Sequence, residues 1–402
     1  MTSSNLTRGA ATWALLSLAV GSFGIGMTEF VVMGLLPDIA QDLLPALWAD
    51  SPESAIAQAG WLITLYALGV VVGAPTIAGS VAKYPRHRVM IGLAAALAAF
   101  NALTFVLPTF ELVAASRFLA GLPHGAFFGI GALVAADVLG PGNRAKGVAF
   151  VLTGLTVANV VGVPVGTFLG QQAGWRLAFV LVAGIFTLAT VLIALRVPPH
   201  EGEPGRTLRA ELKIFRIGQV WLALAVGAIG FGGFFAVYSY VASVVTDVAG
   251  SPQWVVPLIL VLMGIGMTVG NLIGGHLADI DLKRTLIALA VVQTLLALTA
   301  QWIWAVAFFV FATGLVASIL SPTIQTRLMD VAEDNQSIAA ALNHSALNMG
   351  NSLGAFLGGL VIAVGWGFVA PAWVGVALAL CGLALALVSL AVERRRAPVP
   401  VA

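Results

Sequence analysis

WALLSLAVGSFGIGMTEFVVMGLL, residues 13–36, carries a single charge, Glu29, in an otherwise apolar run. As an α-helix it is long enough to cross a hydrocarbon core about 30 Å thick, for which ~20 residues suffice. Segments of this kind recur along all 402 residues, of which 60% are hydrophobic and only 9% charged. A soluble globular chain carries about a quarter charged residues, so the composition points to an integral membrane protein. The segment lengths select helices, because barrel strands are only about 9–11 residues long and alternate polar with apolar.

Twelve such spans are expected, over residues 13–36, 58–80, 89–107, 111–138, 146–170, 175–196, 218–245, 254–277, 285–301, 303–327, 337–365 and 370–392. The first is read as a retained span, since its apolar run exceeds the roughly 7–15 residues of a signal-peptide core. The ninth and tenth are separated only by length and by the Gln301–Trp302 pair, with no charge from Thr285 to Thr326. The polar stretch VPPHEGEPGRTLRAELKIFRI, Val197 to Ile217, divides the chain into residues 1–196 and 218–402, each with six spans, and 197–217 is read as a cytoplasmic linker. Its Arg209 to Phe215 part is either a short basic helix on the membrane surface or plain solvated linker.

Lysine and arginine accumulate on the cytoplasmic side of a bilayer. With the N-terminus inside, seventeen of the nineteen basic residues fall on that side, leaving Arg117 and Arg176. The first outer loop carries Asp38, Asp42, Asp50 and Glu53 and no basic residue. Both termini are therefore expected in the cytoplasm.

The halves share a pattern. Gly79-Ser-Val-Ala-Lys83 followed by Arg88 matches Gly275-His-Leu-Ala-Asp279 followed by Arg284, at an offset of 196 residues. Glycines in such loops let helices approach closely, and an acidic residue there can meet a helix N-terminus or a basic partner, forming a latch that breaks and reforms. Parallel repeats of this size are a transporter feature. On these residues the chain resembles the major facilitator superfamily, over essentially all twelve spans. GGHLADIDLKR is close to the family's loop motif, whereas GSVAKYPRHR has Lys83 where an acidic residue is usual.

Further stretches narrow the resemblance to the drug:proton antiporter-1, arabinose-efflux-permease-like exporters. They are Arg117-Phe-Leu-Ala-Gly121 continuing as LPHGAFFGIGALVAA, Gly162-Val-Pro164-Val-Gly166, GWRLAF from Gly174, TEFVVMGLLPDIAQDL and ALNMGNSLGAFLGG. The Gly162–Gly166 segment is similar to the antiporter motif, without its paired Gly-Pro. The first outer loop, Leu43 to Ala59, is longer than usual for the group. The resemblance implies an all-α membrane protein, two six-helix pseudo-repeat bundles rocking about a central cavity, working as a monomer in a bacterial inner membrane. Its cytoplasmic gate would be built from Gly275, Asp279, Arg284, Lys83 and Arg88.

Intramembrane charges are functional candidates by default. Only Glu29 and Arg117 lie deep, each roughly 10 Å below the outer end of its span at ~1.5 Å per residue. Burial favours a neutral carboxyl and an adjacent guanidinium favours the anion, so a change in water access or in Arg117 distance would load and unload a proton. A fixed ion pair, and direct binding of a cationic substrate by Glu29, are the competing readings. His124, two turns from Arg117, is a candidate relay or a histidine bonded to a carbonyl. Asn159, Asn343, His344 and Asn348, with Tyr66, Phe235, Tyr238 and Tyr240, are expected either to line a substrate cavity or to bond and pack between helices. Asn351 shares the helical face of His344 and Asn348, a face suited either to cavity lining or to interhelical hydrogen bonds. Pro75, Pro123, Pro164 and Pro322 each remove a backbone hydrogen bond and mark either hinges or static kinks.

Several classes are excluded. No G-x-x-x-x-G-K-[ST] loop supports ATP-driven transport, and no His/Cys/carboxylate spacing suggests a metal. Cys381 alone rules out a disulfide framework. No cofactor, nucleic acid or enzymatic reaction is expected. The leading expectation is a proton-coupled exporter of a small apolar or amphiphilic compound, of the kind that confers antibiotic resistance. A uniporter or proton symporter for nutrients, and a non-transporting membrane sensor, are the alternatives.

Overall fold

A computed structural model describes residues 7–81, 83–140, 144–199, 216–276, 281–331 and 336–396. Twelve helices in it are long and apolar enough to cross a membrane: α1 Arg8–Leu43, α2 Trp61–Val81, α3 Arg86–Val106, α4 Phe110–Leu139, α5 Lys146–Ala173, α6 Arg176–Arg196, α7 Gly218–Ser239, α8 Val255–His276, α9 Leu282–Thr299, α10 Ile303–Val331, α11 Gln336–Ala363 and α12 Ala370–Arg396. The ninth and tenth spans part at Ala300–Trp302, as length and the Gln301–Trp302 pair suggested. Helices are the outcome because a bilayer interior offers no partner for an unpaired backbone group. Their starts carry capping side chains: Thr7 accepts from the Ala10 N–H at 3.3 Å and Asp281 from the Lys283 N–H at 2.9 Å.

Expected bounds change at three spans. The first extends past both ends of 13–36, to Arg8–Leu43. The seventh span does not run to 245; α7 stops at Ser239, Tyr240 has φ −118°, and the chain continues as a short turn and a π-helical segment, Val244–Val248. The second begins at Trp61, because the long first loop folds separately into two short helices, Pro45–Asp50 and Pro52–Ala59, with Ser51 capping the latter. Helices run on through Pro75, Pro123 and Pro322. At Pro164, which has no N–H to offer Val160, the ladder widens instead into a π turn, Ala158–Gly162, closed by Val163 N–H on Ala158 O.

The packing repeats six helices later. α2 lies along α4 and α8 along α10; α3 along α6 and α9 along α12; α1 along α5 and α7 along α11. The six-helix halves then meet through α2 against α11 and α5 against α8. Close approach needs glycine. A Cβ on Gly121 would strike the Tyr66 carbonyl and Gly69 Cα, and one on Gly264 the Asn159 backbone, so neither site has room for a side chain.

The molecule is apolar outside as well as inside: Trp304 is 84% exposed and Leu195 71%, the surface lipid requires. Twelve crossings bring both ends of the chain to one face, here the terminus face; the other is the distal face. The largest buried cluster joins the halves, but from the first half it takes only residues toward the distal face, such as Phe30–Ala40, Ala55–Ile63 and Trp175–Phe179. Toward the terminus face the first half forms its own cluster with no member from the second. The apolar closure is therefore distal. The second loop helix takes part, burying Ala55, Ile56 and Ala59 and packing on α1 and α11, and Gln253 Nε2 donates across the halves to Asp38 at 2.8 and 3.0 Å.

Candidate functional site

The interior reverses the usual pattern, for it is where the polar side chains collect. Thr28, Glu29, Asn101, Arg117, His124, Asn159, Asn343, Asn348 and Asn351 are all buried. A polar group in an apolar surrounding is costly unless bonded, so their partners define the site.

Arg117 is fully buried on α4. Its guanidinium forks onto one residue of α1, Nη1 donating to Thr28 Oγ1 at 2.9 Å and Nη2 to Thr28 O at 2.8 Å. Thr28 Oγ1 in turn donates to Asn101 Oδ1 on α3 at 2.6 Å, and Asn101 Nδ2 is held by Leu97 O at 2.8 Å. The guanidinium lies over the Tyr66 ring, 4.1 Å from its centroid, and 5.5 Å from that of Phe179. Such stacking suits the planar, weakly hydrated guanidinium.

Glu29 is the next residue after Thr28, yet no ion pair joins it to Arg117 among the described residues. The expected direct partnership is replaced by one through the α1 backbone. The carboxylate instead accepts from Asn351 Nδ2 on α11 at 3.0 Å, a bond that crosses the two halves. On the residue after it, Phe30 stacks with Tyr238 at 5.5 Å and Phe235 at 6.4 Å between centroids. Those α7 aromatics wall the site toward the distal face together with Phe231 and Phe234.

A second crossing lies on the same helices. His124 Nδ1 meets the Tyr66 hydroxyl at 3.0 Å, and His124 Nε2 meets His344 Nε2 at 3.3 Å. Asn348 Nδ2 donates to His344 O at 3.1 Å and meets His344 Nε2 at 3.4 Å. A consistent assignment has Tyr66 O–H donating to His124 Nδ1, His124 Nε2–H donating to His344, and Asn348 donating to the same nitrogen, with both imidazoles neutral. Arg117, Tyr66, His124, His344 and Asn348 thus form one contact chain from α4 and α2 to α11.

Other expected positions separate from this group. Tyr240 lies in the distal closure, its hydroxyl donating to Ala355 O at 2.7 Å and its ring against Gly358 and Gly359; it packs helices. Asn159 sits in the π turn of α5 with Oδ1 unpartnered, and Asn343 Oδ1 is likewise buried without a partner. Gly162 and Gly166 face α1, where a Cβ would come to 2.8 Å from Phe23 and 3.0 Å from Met27. With Pro164 widening the ladder just before them, the antiporter-like segment shapes the α1–α5 contact.

At the terminus face, Asp279 lies outside the described residues, and Gly275 closes the last turn of α8. Lys83, Arg88 and Arg284 are exposed. The charges bonded there are different ones: Arg86 donates to Asp137 at 2.5 Å, Asp281 pairs with Lys283 at 3.2 Å, and Arg327 with Glu393 at 2.8 Å. At the distal face Arg176 pairs with Asp42, which also accepts from Trp175 Nε1 at 2.9 Å. The GWRLAF stretch therefore anchors the end of α1.

Asn351 makes an interhelical hydrogen bond, one of the two roles its helical face offers; Thr28 and Asn101 are participants that the sequence reading does not reach. Asn101 is the one amide in α3, a signal that could have been followed; the choice of Thr28 as the Arg117 acceptor has no sequence signal.

Comparison with known proteins follows the same lines. The pattern of the Major Facilitator Superfamily matches residues 18–292 and 255–402. Relatives include the inner membrane transport protein YdhP of Escherichia coli K12, 36% identical over 89% of this chain and 90% of that one. The putative transporter AraJ of the same strain is 34% identical over 87% and 88%, and the chloramphenicol resistance protein of Streptomyces lividans 32% over 84% and 86%. Among solved structures, a D-xylose-proton symporter superposes with a TM-score of 0.74 at 14% identity, over 93% of this chain and 97% of that one.

Proposed function

The chain belongs to the major facilitator superfamily and is a multi-pass membrane transporter, and from that premise we propose that it exports a small apolar or amphiphilic compound in exchange for protons. The observation that carries this reading is Glu29: a carboxylate buried in a membrane span, not ion-paired, whose hydrogen bond comes from the opposite half. Intramembrane carboxyls of this kind mark proton and ion pathways.

In this reading the terminus face, which holds most of the basic residues, is cytoplasmic, and the distal closure makes this the state shut to the outside. Glu29 here is the deprotonated carboxylate, accepting the Asn351 N–H. Rocking about the halves parts the distal closure, exposes Glu29 to the outer solution, and lets it take a proton as substrate leaves. Return to the present state releases that proton inward. Arg117, fixed to Thr28, holds a positive charge one residue from the carboxyl throughout, and His124 with His344 joins the halves on the same side. The aromatic wall of Phe30, Phe235 and Tyr238 suits an apolar substrate. The exposed Lys83, Arg88 and Arg284, and Asp279 beside them, would serve the cytoplasmic gate in other states.

The test is transport in proteoliposomes containing a pH-sensitive dye. Chloramphenicol is the first probe, since one relative is named for resistance to it. Protons moving opposite to substrate, abolished by Glu29→Gln, is the expected result. Protons moving with the substrate would make this a symporter, and proton movement persisting in Glu29→Gln would remove Glu29 from the mechanism.

A further inference from the structure

The hydrogen bond between Glu29 and Asn351 joins the proposed proton site to the other half of the molecule, and its chemistry is not that of an ordinary helix tie. Both residues are buried, Glu29 at 6% exposure and Asn351 at 0%. Asn351 Nδ2 donates to Glu29 Oε1 at 3.0 Å, while Asn351 Oδ1 is buried with no partner. A buried amide oxygen left unbonded costs about 1–3 kcal/mol, so a bonded state for it elsewhere in the cycle is expected.

An amide differs from every other side chain near this carboxyl in offering both a donor and an acceptor on one rigid plane. The carboxylate needs a donor, which Nδ2 supplies. A protonated carboxyl carries an O–H and needs an acceptor, which Oδ1 supplies once the amide turns over. The other charged or titratable groups near Glu29 are engaged elsewhere or only donate. Arg117, from α4, only donates and is committed to Thr28. Tyr66, from α2, is committed to His124, and Tyr238, from α7, stacks on Phe30.

We propose that Asn351 is the positioning residue that couples the protonation state of Glu29 to the contact between the halves. It donates to the carboxylate in the present closed-distal state and accepts from the carboxylic acid when the proton is loaded. Because it stands on α11 and Glu29 on α1, each reversal of that hydrogen bond is made across the seam. This inference rests on Glu29 being the proton carrier.

The experiment compares proton-driven transport with substrate counterflow, an exchange that needs no net proton movement, in proteoliposomes of the full chain. Glu29→Gln is run alongside. Asn351→Leu removes both donor and acceptor; Asn351→Asp keeps the shape, can still bond a protonated Glu29, and repels the ionised one. In both Asn351 variants proton-driven transport should fall about 10-fold or more, the loss of one charge-assisted hydrogen bond, and should fall by about 10-fold more than counterflow does. Equal loss of both activities in both variants would mean a structural role and overturn the proposal. Retention of proton-driven transport in Asn351→Leu, when Glu29→Gln has lost it, would overturn it and leave Glu29 in place. If Glu29→Gln itself retains proton-driven transport, the premise and the proposal fall together.

Discussion

Replacing Arg117 with lysine keeps a positive charge at the same depth but removes the fork. The guanidinium now spans two acceptors on Thr28, 2.9 Å from the hydroxyl and 2.8 Å from the carbonyl, and covers Tyr66 at 4.1 Å. A lysine ammonium is a point donor on a flexible stem and reaches one of the two. Loss of a single hydrogen bond to a charged group costs about 1.5–3 kcal/mol, so Arg117→Lys should destabilise the protein by ~2 kcal/mol, roughly 30-fold in the folded-to-unfolded ratio. Arg117→Ala loses both bonds and a desolvated cation–π contact of about 2 kcal/mol, for ~6 kcal/mol in all. Thr28 Oγ1 is not stranded in either variant, because it still donates to Asn101. The assay is denaturant unfolding in detergent followed by tryptophan fluorescence, with Trp175 a buried reporter. Wild-type stability in Arg117→Lys would refute the fork argument. Equal loss in the lysine and alanine variants would refute the contribution of charge and stacking.

Two further outcomes follow from packing. Tyr240→Phe should cost about 1 kcal/mol in the same unfolding assay, one neutral hydrogen bond, with substrate binding unchanged; weakened binding would return Tyr240 to the cavity wall. Gly121→Val should prevent α2 and α4 from seating, because the atoms a side chain would strike are the Tyr66 carbonyl and Gly69 Cα, and overpacking against backbone costs about 1–3 kcal/mol or more. A monodisperse, fully active Gly121→Val protein would contradict the close approach.

Much of this architecture was legible before any coordinates. Twelve crossings follow from segment length against bilayer thickness, and the break at Ala300–Trp302 was found with no charge to mark it. Depth was legible too: Glu29 and Arg117, the two deep charges, are both buried in the interior site. Pairing was less so. Arg86 with Asp137 holds α3 to α4; in a short basic turn, spacing does not say which of several cations finds the carboxylate.

The sequence by itself determined the number and order of the membrane helices and the depth of Glu29 and Arg117, because hydrocarbon thickness and helical rise fix those along one dimension. Only the tertiary structure decided the partners. Arg117 grips Thr28 and leaves Glu29 to Asn351, 322 residues away, and Tyr240 belongs to the distal closure. The reason lies in the solvent: with lipid outside and side chains inside, these helices are apolar around most of their circumference. The few inward polar residues do not say which neighbour each face meets, and the choice falls to where glycine lets two backbones touch.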